Sequence, residues 1–511
     1  MSDYEYIIVG AGSAGCVLAN RLSADSDVLV LEAGTPDDRR EMSVPIAYPE
    51  LWGSAVDWAF KTIPQSELDD RALDVTQGKT IGGSSSINAQ VYLRGHPADY
   101  NGWAAAGNNG WDYDTVIECF ERIEDGPGEH YGSDGSQHIT GQSDPHPLSS
   151  EFVDAAAETG LRRRDCLNTS DIDGVGFTEV TQKGHKRHSA ADAFLKPALD
   201  RATLTAKTGA RVRRITFDGN RASGVVYEQE GKTRRATATE EVILSAGAIN
   251  SPRLLMLSGI GPADHLREYG ITVHVDRPGV GRNLQDHPIV YLPYETRTSA
   301  THGSADTPLN LLRYFLLKRG PLTSNGLEAV GYWQSDDLSA PDIQFVFIPA
   351  YIEGGELAED SDGFSIGTAL IHPKSRGRVT LTSADPNDDP RIDPQYLTHD
   401  KDFEALLKGV QKAQEIAATD PLAAQRSDLN DPHGRPEDTI HSETRSYAHF
   451  VGTCKMGDDE MAVVNDRLRL YGIEGLRVVD ASVMPMIPRA NTYAPTMMIA
   501  ERASEFITTD N

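Results

Sequence analysis

The sequence YEYIIV at residues 4–9 runs directly into GAGSAG at residues 10–15. The first segment is β-branched and aromatic, which predicts a strand that ends at the first glycine. Residues 14–23 place apolar side chains on one face, which predicts a helix. VLVL at residues 28–31 predicts a second strand, apolar on both faces as in a parallel sheet that is covered on both sides. The chain therefore begins with a β-α-β unit.

The glycine loop has the form G-x-G-x-x-G, a weak signal alone because glycines often serve only tight turns. Here the loop joins a strand to a helix, and Glu32 stands 22 positions after Gly10. An acid about 20 residues on is expected to bind ribose hydroxyls, and the helix N-terminus stabilises a pyrophosphate. The stretch predicts a dinucleotide site. The acid disfavours NADP and leaves NAD or FAD open.

The remaining 480 or so residues contain no second fingerprint of this kind, and roughly 150 residues per domain predicts two to four domains. One dinucleotide site in so long a chain suits a permanently held flavin, with the substrate docking from another layer. The predicted strands cover residues 212–217, 222–228, 241–245, 342–349 and 377–382. The predicted helices cover residues 250–257, capped by Asn250 with Pro252 in the first turn, 310–318 and 403–419.

Acidic residues outnumber basic ones by 76 to 48, and the net charge is −28. Such a surface repels nucleic acid and anionic membranes, so neither is a predicted partner. The acidity serves simple solubility or adaptation to high salt, where repulsion is screened within about 3 Å at about 1 M. The scarcity of Lys beside Arg and two acidic clusters favour a halophilic source. The clusters comprise Glu353, Glu356, Glu359, Asp360 and Asp362, and Asp385, Asp388 and Asp389.

No apolar run approaches the roughly 20 residues of a membrane span, and the first residues lack the basic start of a secretory signal. We therefore expect a soluble, cytoplasmic protein. The four cysteines contain no C-x-x-C pair, which predicts neither a disulfide framework nor a zinc site. His185 and His188 stand beside Lys186 and Arg187, which would repel a cation, so we expect no metal.

Several longer stretches resemble signatures of the glucose–methanol–choline (GMC) oxidoreductases, in family order from the first strand to the last helix. They are GKTIGGSSSINA at 78–89, GAINSPRLLMLSGIGP at 247–262, GVGRNLQDH at 279–287, HFVGTCKMG at 449–457, DAS at 480–482 and NTYAPT at 491–496. The resemblance implies an FAD-dependent oxidoreductase that oxidises an alcohol, with O2 or another electron acceptor.

The implied fold is α/β, α+β overall, with a Rossmann-like FAD-binding domain and a substrate-binding domain on a mixed or antiparallel sheet. We expect residues 1–295 to form mainly the FAD-binding domain and residues 296–445 mainly the substrate-binding domain. Residues 446–511 are expected to return to the FAD domain and complete the active site.

Oxidising an alcohol needs a base for the hydroxyl proton and a group that holds the developing charge while hydride passes to flavin N5. The resemblance places His449 as the base, three residues before Gly452. It places Asn491 as the partner, where the family carries His or Asn. A neutral imidazole and a donating amide suit these roles.

The resemblance and the glycine loop together imply a set of cofactor-binding residues. They are Gly10, Gly12, Ser13, Ala14, Gly15, Glu32, Ala33, Gly82, Gly83, Ser84, Asn88, Val91, Val212, Ala246, Asp480, Ala481, Asn491, Thr492, Pro495 and Thr496. Some members attach FAD covalently to a histidine where this chain has Ile87, so we expect non-covalent FAD. The residue before the family histidine is often bulky, and here it is Ala448. Either the pocket is wider, or Tyr447 and Phe450 fill the gap.

Two other functions remain open on the same scaffold: a hydroxynitrile-lyase-like protein that uses FAD structurally, and a redox-silent FAD-binding protein. A hydrolase is poorly supported, because residues 83–86 lack the G-x-S-x-G pattern of a nucleophile elbow. The sequence leaves choline-like, aliphatic and aryl alcohols open as substrates.

Overall fold

The computed structural model describes residues 2–297, 301, 307–358, 361–427 and 434–510. Its opening strand Ser2–Val9 pairs in parallel with Val28–Leu31, and the helix Ser13–Leu22 connects them. The last four residues of the first strand are buried, and Val28–Leu31 is buried throughout. The predicted β-α-β unit is confirmed to within two residues at each boundary.

The β-α-β unit lies within a seven-stranded sheet, which we call the first sheet. Its strand order is Leu204–Lys207, Val28–Leu31, Ser2–Val9, Lys232–Leu244, Arg221–Gln229 and Ala210–Asp218, with Leu476–Val478 paired to Lys232–Leu244. The last of these strands comes from far along the chain and lies parallel to its neighbour. The helix Tyr493–Asp510 packs against Ser13–Leu22 beneath the same sheet. The C-terminal residues therefore belong to this layer.

A six-stranded antiparallel sheet, the second sheet, forms the other layer. Its strand order is Arg445–Ser446, Pro288–Glu295, Gly363–Leu370, Ile343–Ile348, Ala329–Trp333 and Gly174–Phe177. The helix Asp400–Ala417 covers one face, where it shares an apolar core with Phe345 and Phe364. The α/β fold with a Rossmann-like domain and a second, antiparallel sheet is confirmed. The sheet also draws two strands, Gly174–Phe177 and Pro288–Glu295, from the segment predicted as mainly FAD-binding.

The predicted start of the helix at residues 250–257 is wrong. The helix runs over Gly247–Leu257, so Asn250 is not its cap and Pro252 lies in its interior. Proline lacks the N–H that would bond to the carbonyl four residues earlier. The Thr453 hydroxyl instead donates to that carbonyl, of Ala248, at 2.6 Å. A distant side chain therefore replaces the lost bond and permits the interior proline.

The other predicted elements are present with shifted ends. The predicted strand at 241–245 is part of the longer Lys232–Leu244, and the helix at 403–419 is Asp400–Ala417. The helix at 310–318 is Pro308–Leu312 followed by a π-helical turn, Arg313–Leu317. Glu359 and Asp360 of the acidic clusters lie outside the described residues. Within the described ranges, no helix is long and apolar enough to cross a bilayer.

The remaining helical segments are Arg40–Ser43, Pro45–Leu51, Ser66–Leu68, Gly83–Ser86, Pro97–Ala105, Tyr113–Ile123, Pro147–Glu158, Ala191–Leu195, Lys196–Ala198, Ala263–Glu268, Pro321–Thr323, Leu422–Gln425, Pro436–Glu443 and Ala481–Val483. The remaining strands are Phe60–Lys61, Asp74–Val75, Glu124–Asp125, Gln137–His138, Gln182–Lys183, Lys186–Arg187, Ile260–Gly261, Val275–Asp276, Arg282–Leu284, Ile352–Glu353, Glu356–Leu357, Gly377–Thr380 and Arg391–Asp393.

Candidate active site

A cavity of about 1330 Å³ is lined by residues of both sheets. Val9, Leu31 and Val212 contribute from the first sheet, and Tyr291 and Ile348 from the second. Ligands of open parallel sheets bind outside the carboxyl ends of the strands, and Val9 and Leu31 are such ends. The cavity is therefore where the β-α-β unit predicts a dinucleotide.

The glycine loop forms one wall of this cavity with its main chain. A Cβ on Gly15 would lie 2.0 Å from the Gly10 carbonyl oxygen, so this glycine permits the helix to pack on the strand. A Cβ on Gly12 would meet no described protein atom closer than the Ser245 oxygen at 3.9 Å. Gly12 thus keeps its backbone open to the cavity, which fits the close approach of a pyrophosphate.

Glu32 is held at the end of its strand by main-chain donors. Its two carboxylate oxygens accept hydrogen bonds from the N–H groups of Ala11 and Gly34, both at 2.8 Å. Burial raises the pKa of Glu32 to about 7, and these hydrogen bonds oppose the rise. The carboxyl lines the cavity next to the glycine loop. This is the position from which an acid can bind ribose hydroxyls.

Most of the predicted cofactor-binding residues line this one cavity. Those that do so are Gly10, Gly12, Ser13, Ala14, Glu32, Ala33, Gly83, Ser84, Asn88, Val91, Val212, Ala246, Asp480, Ala481, Asn491, Thr492 and Thr496. Gly15, Gly82 and Pro495 lie behind the wall. Gly82 has φ +84° and donates its N–H to the Ala11 carbonyl at 2.7 Å, and Pro495 is buried in the first turn of Tyr493–Asp510.

Two of the polar cavity residues are fixed by protein donors. The Asn88 carbonyl oxygen accepts from the Gln90 N–H at 3.0 Å and from Arg187 at 2.8 Å, which leaves its amide nitrogen as the group free to donate. The Asp480 carboxylate accepts from Gly247 N–H at 2.9 Å and Ser251 hydroxyl at 2.6 Å. Asp480, which follows the strand Leu476–Val478, therefore contacts the first turns of the helix Gly247–Leu257.

His449 is positioned by a short antiparallel pairing. Val451 and Gln285 exchange main-chain hydrogen bonds at 2.9 and 3.1 Å, and the Tyr447 N–H donates to the His287 carbonyl at 3.0 Å. This pairing brings the His287 and His449 side chains together, with Nδ1 to Nδ1 at 3.0 Å. On the other side, the Asn491 amide nitrogen lies 3.2 Å from His449 Nε2. The two residues predicted to be catalytic therefore meet at the cavity wall.

The Asp286 carboxylate holds the main chain at His449 in place. Its Oδ1 accepts the His449 main-chain N–H at 2.6 Å, and its Oδ2 accepts the hydroxyls of Tyr396 and Ser446, each at 2.5 Å. Burial raises the pKa of Asp286 to about 6, and the two hydroxyls and the N–H oppose the rise. The carboxyl touches the backbone of His449 and not its ring, so it fixes position and not ring charge.

Burial keeps the two imidazoles neutral. It lowers the pKa of His449 to about 3, and burial followed by the neighbouring His449 lowers the pKa of His287 well below its usual range. The neighbours then assign one tautomer. The Asn491 amide donates to His449 Nε2, so His449 carries its proton on Nδ1 and donates it to His287 Nδ1. An unprotonated nitrogen of His449 therefore lies on the Asn491 side.

Sequence reasoning did not assign roles to His287, Asp286, Tyr396 or Ser446. The first two stand in the quoted stretch at 279–287, which was the available signal. Tyr396 and Ser446 carry no motif, and only the fold brings them to Asp286. Ala448, Tyr447 and Phe450 all line the cavity, and the centroid of the Tyr447 ring lies 4.3 Å from that of His449.

Known proteins of one family are similar to this chain over nearly its whole length. Two GMC oxidoreductase family models match the chain, the N-terminal one over residues 4–289 and the C-terminal one over residues 373–500. The chain is 40% identical to alcohol dehydrogenase [acceptor] of Pseudomonas putida, covering 99% of this chain and 95% of that protein. It is also 40% identical to human mitochondrial choline dehydrogenase, covering 99% and 90%. The crystal structure of pyridoxine 4-oxidase from Mesorbium loti superposes with a TM-score of 0.90 at 33% identity, covering 98% of each chain.

Proposed function

Because the chain belongs to the GMC oxidoreductase family, we propose that it oxidises a primary alcohol to an aldehyde with His449 as the base. The enzyme is an FAD-dependent oxidoreductase acting on CH–OH donors. One observation supports His449 as the base: this buried, neutral histidine contacts Asn491 and lines the same cavity as the glycine loop.

The wall that the glycine loop forms with its main chain would hold the cofactor. Gly10, Gly12 and the N-terminus of Ser13–Leu22 face the place of the pyrophosphate, and Glu32 the adenosine ribose. Val212 would meet the adenine, and the segment from Gly83 to Asn88 would lie along the flavin ring. The side chain of Ile87 offers no nucleophile, which supports non-covalent binding. When bound, FAD would supply the acceptor for the hydride of the carbinol carbon.

The wall formed by the side chains of His449, Asn491 and His287 would carry out the proton transfer. The alcohol hydroxyl would replace the Asn491 amide as the donor to the unprotonated Nε2 of His449, which takes the proton as hydride leaves the carbon. Asn491 lies 3.2 Å from the same nitrogen, so its amide can donate to the alcohol oxygen as charge develops there. His287 accepts from the opposite nitrogen of His449 and holds the reactive nitrogen toward the cavity. Together the three side chains position one proton transfer.

The wall near His449 suits an uncharged, apolar alcohol. Tyr48, Tyr291, Leu327, Ile348 and Tyr447 line the cavity and belong to one apolar cluster. An aliphatic or aryl group can pack on these side chains and exclude water from the reacting carbon. An anaerobic panel of choline, aliphatic and aryl primary alcohols, read by bleaching of flavin absorbance, tests both the reaction and this preference. If no alcohol bleaches the flavin, the protein is a lyase or a redox-silent binder and the proposal is wrong.

Replacing His449 by alanine should lower kcat by about a hundredfold or more, because a general base is lost. FAD should remain bound, since the predicted contacts with the pyrophosphate and the ribose lie on the glycine-loop wall. The measurement is steady-state turnover with the best alcohol of the panel, beside the visible spectrum. His274→Ala is the matched control, because this exposed histidine stacks on Phe217 away from the cavity. Turnover that is unchanged in His449→Ala would remove the assignment.

Asn491→Ala should slow the anaerobic reduction of the flavin while leaving FAD bound. The amide is the donor nearest to His449 Nε2 at 3.2 Å, and its loss leaves the developing oxygen charge without that hydrogen bond. Stopped-flow bleaching at saturating alcohol isolates this step. A wild-type reduction rate would exclude Asn491 from the chemistry.

A further inference from the structure

A cluster of exposed apolar side chains lies at residues 309–317, and we call it the apolar patch. It consists of Leu309, Leu312, Phe315, Leu316 and Leu317, which are 57%, 54%, 47%, 70% and 65% exposed. Ten large hydrophobic side chains are exposed in the part of the chain that the structure describes, and half of them stand in these nine residues. Scattered exposed leucines need no explanation, but a contiguous group marks an interaction surface.

The patch is held outward by a well-packed inner face. On the same helical segment, Leu311 and Tyr314 pack against Val44, Ile46 and Leu322. The Tyr314 hydroxyl also donates to the His185 carbonyl at 3.0 Å. With these contacts made on one side, the leucines of the other side face solvent. The exposure therefore follows from the packing of the segment and not from a loose end of chain.

Several basic side chains lie beside the apolar patch. Residues 307–321 contain Arg313, Lys318 and Arg319 and no acid. Arg40 lies 4.7 Å from the centroid of the Phe315 ring. The hairpin Gln182–Lys183 and Lys186–Arg187, which the Tyr314–His185 bond attaches to the segment, adds the exposed Lys183 and Lys186.

Acids near the patch offset part of this charge: Glu41, Glu50 and Glu356 line the same cavity as Phe315, and Asp144 contacts Gly320. Glu41 lies 3.3 Å from Arg39, and Asp144 accepts the Gly320 N–H at 3.1 Å. A net charge of −28 predicted that anionic membranes would be avoided. At physiological salt, however, charges beyond about 8 Å are screened, so the local charge decides what the patch meets.

The patch also stands at the opening of the cavity. Leu311, Tyr314 and the half-exposed Phe315 line the cavity together with Arg40 and Val44. A ligand dissolved in a bilayer could pass from the patch into the cavity without crossing water.

We propose that the enzyme binds peripherally to the surface of a bilayer with anionic headgroups through the apolar patch and its basic border. Apolar side chains ringed by Lys and Arg are the usual composition of a segment that lies in the headgroup region. A second copy of the chain is a poorer occupant. A two-fold interface places the same surface on both partners, and would set the basic borders against each other. Bilayer binding does not depend on the residues proposed for the chemistry.

Flotation of the holoenzyme with vesicles tests the proposal. Vesicles of phosphatidylcholine with about 30 mol% phosphatidylglycerol should carry the protein at about 0.15 M salt, and pure phosphatidylcholine vesicles should carry much less. The double variant Leu316→Asp/Leu317→Asp should reduce the vesicle-bound fraction at least tenfold. Neither residue lines the cavity, so flavin content and turnover of a water-soluble alcohol should stay at the wild-type level and show that the variant folds.

The matched control is Leu199→Asp/Leu338→Asp, which changes two leucines that are 45% and 42% exposed elsewhere on the surface. This control should float like the wild type. Equal flotation with neutral and anionic vesicles, or of the patch variant and the wild type, would overturn the proposal. So would a wild-type dimer that the patch variant converts to a monomer while neither binds vesicles, because the patch would then join two copies. Light scattering on the same samples reports that outcome.

Discussion

The two walls of the cavity are built by different means. On the glycine-loop wall, main-chain atoms face the cavity, and even Glu32 is held by main-chain N–H groups. On the His449 wall, side chains hold side chains: His287 and Asn491 contact the ring of His449, and Tyr396 and Ser446 contact Asp286. The first wall should therefore be sensitive to added atoms and the second to changed chemistry.

The largest effect is expected from adding one methyl group to the glycine-loop wall. In Gly12→Ala the new Cβ meets no described protein atom within 3.8 Å, and φ of −75° suits alanine, so the fold should persist. The methyl group instead occupies the approach of the pyrophosphate. Loss of about two charge-assisted hydrogen bonds costs about 4 kcal/mol, or roughly a thousandfold in the Kd of FAD. Titration of FAD into the FAD-free protein measures it.

Gly141→Ala is the matched control, because a Cβ there meets nothing within 4 Å and the residue is remote from the cavity lining. Both variants should unfold at the same temperature without FAD. If Gly12→Ala binds FAD as tightly as the control, the glycine wall is not limited by backbone approach, and the contrast between the walls fails.

How much of the fold the sequence could predict depends on whether the contacts that form an element are local or distant along the chain. The β-α-β unit depends on neighbours within 30 residues, so its pattern sufficed. The start of Gly247–Leu257 could not be predicted, because the bond that permits Pro252 in its interior comes from Thr453. The segment 310–318 has helical periodicity, but the pattern does not say which apolar face is buried.

The residues of the site also divide into those that a local pattern predicts and those that only the fold brings together. The glycine loop and Glu32 could be predicted from spacing and chemistry. His449 and Asn491 required a family resemblance, since one histidine among 15 carries no signal by itself. The contact of Asp286 with Tyr396 spans 110 positions and has no local pattern. Side-chain networks of this kind become visible only once the chain is folded.

A buried carboxyl on each wall predicts a second, somewhat smaller effect. Burial raises the pKa of Glu32 from 4.5 to about 7 and that of Asp286 from 3.8 to about 6. Both groups hold protons more tightly in the folded chain than in the unfolded chain. Their contribution to stability is complete below the unfolded pKa and is lost as pH rises through the folded pKa. Each should lower the free energy of unfolding by about 3 kcal/mol over its window.

Urea titrations of the FAD-free protein from pH about 4 to about 8 measure this loss. The difference between wild type and Asp286→Asn should change up to pH about 6, and that between wild type and Glu32→Gln up to about 7. Two distinct pH ranges, one for each carboxyl, would show that the two walls titrate independently. A wild-type stability that rises relative to a variant across that variant's window would contradict the sign of the pKa shift of the carboxyl it replaces.

The smallest effect concerns His287, and it tests whether the side-chain wall acts through chemistry or only through packing. His287→Leu fills the site but removes the acceptor that lies 3.0 Å from His449 Nδ1, so the ring loses the bond that fixes its tautomer. One such bond predicts about a tenfold fall in kcat, near 1.4 kcal/mol, with little change in KM. His287→Asn retains an acceptor oxygen and should keep most of the activity. Equal losses in the two variants, or a loss confined to KM, would mean that His287 supports the wall by its bulk alone.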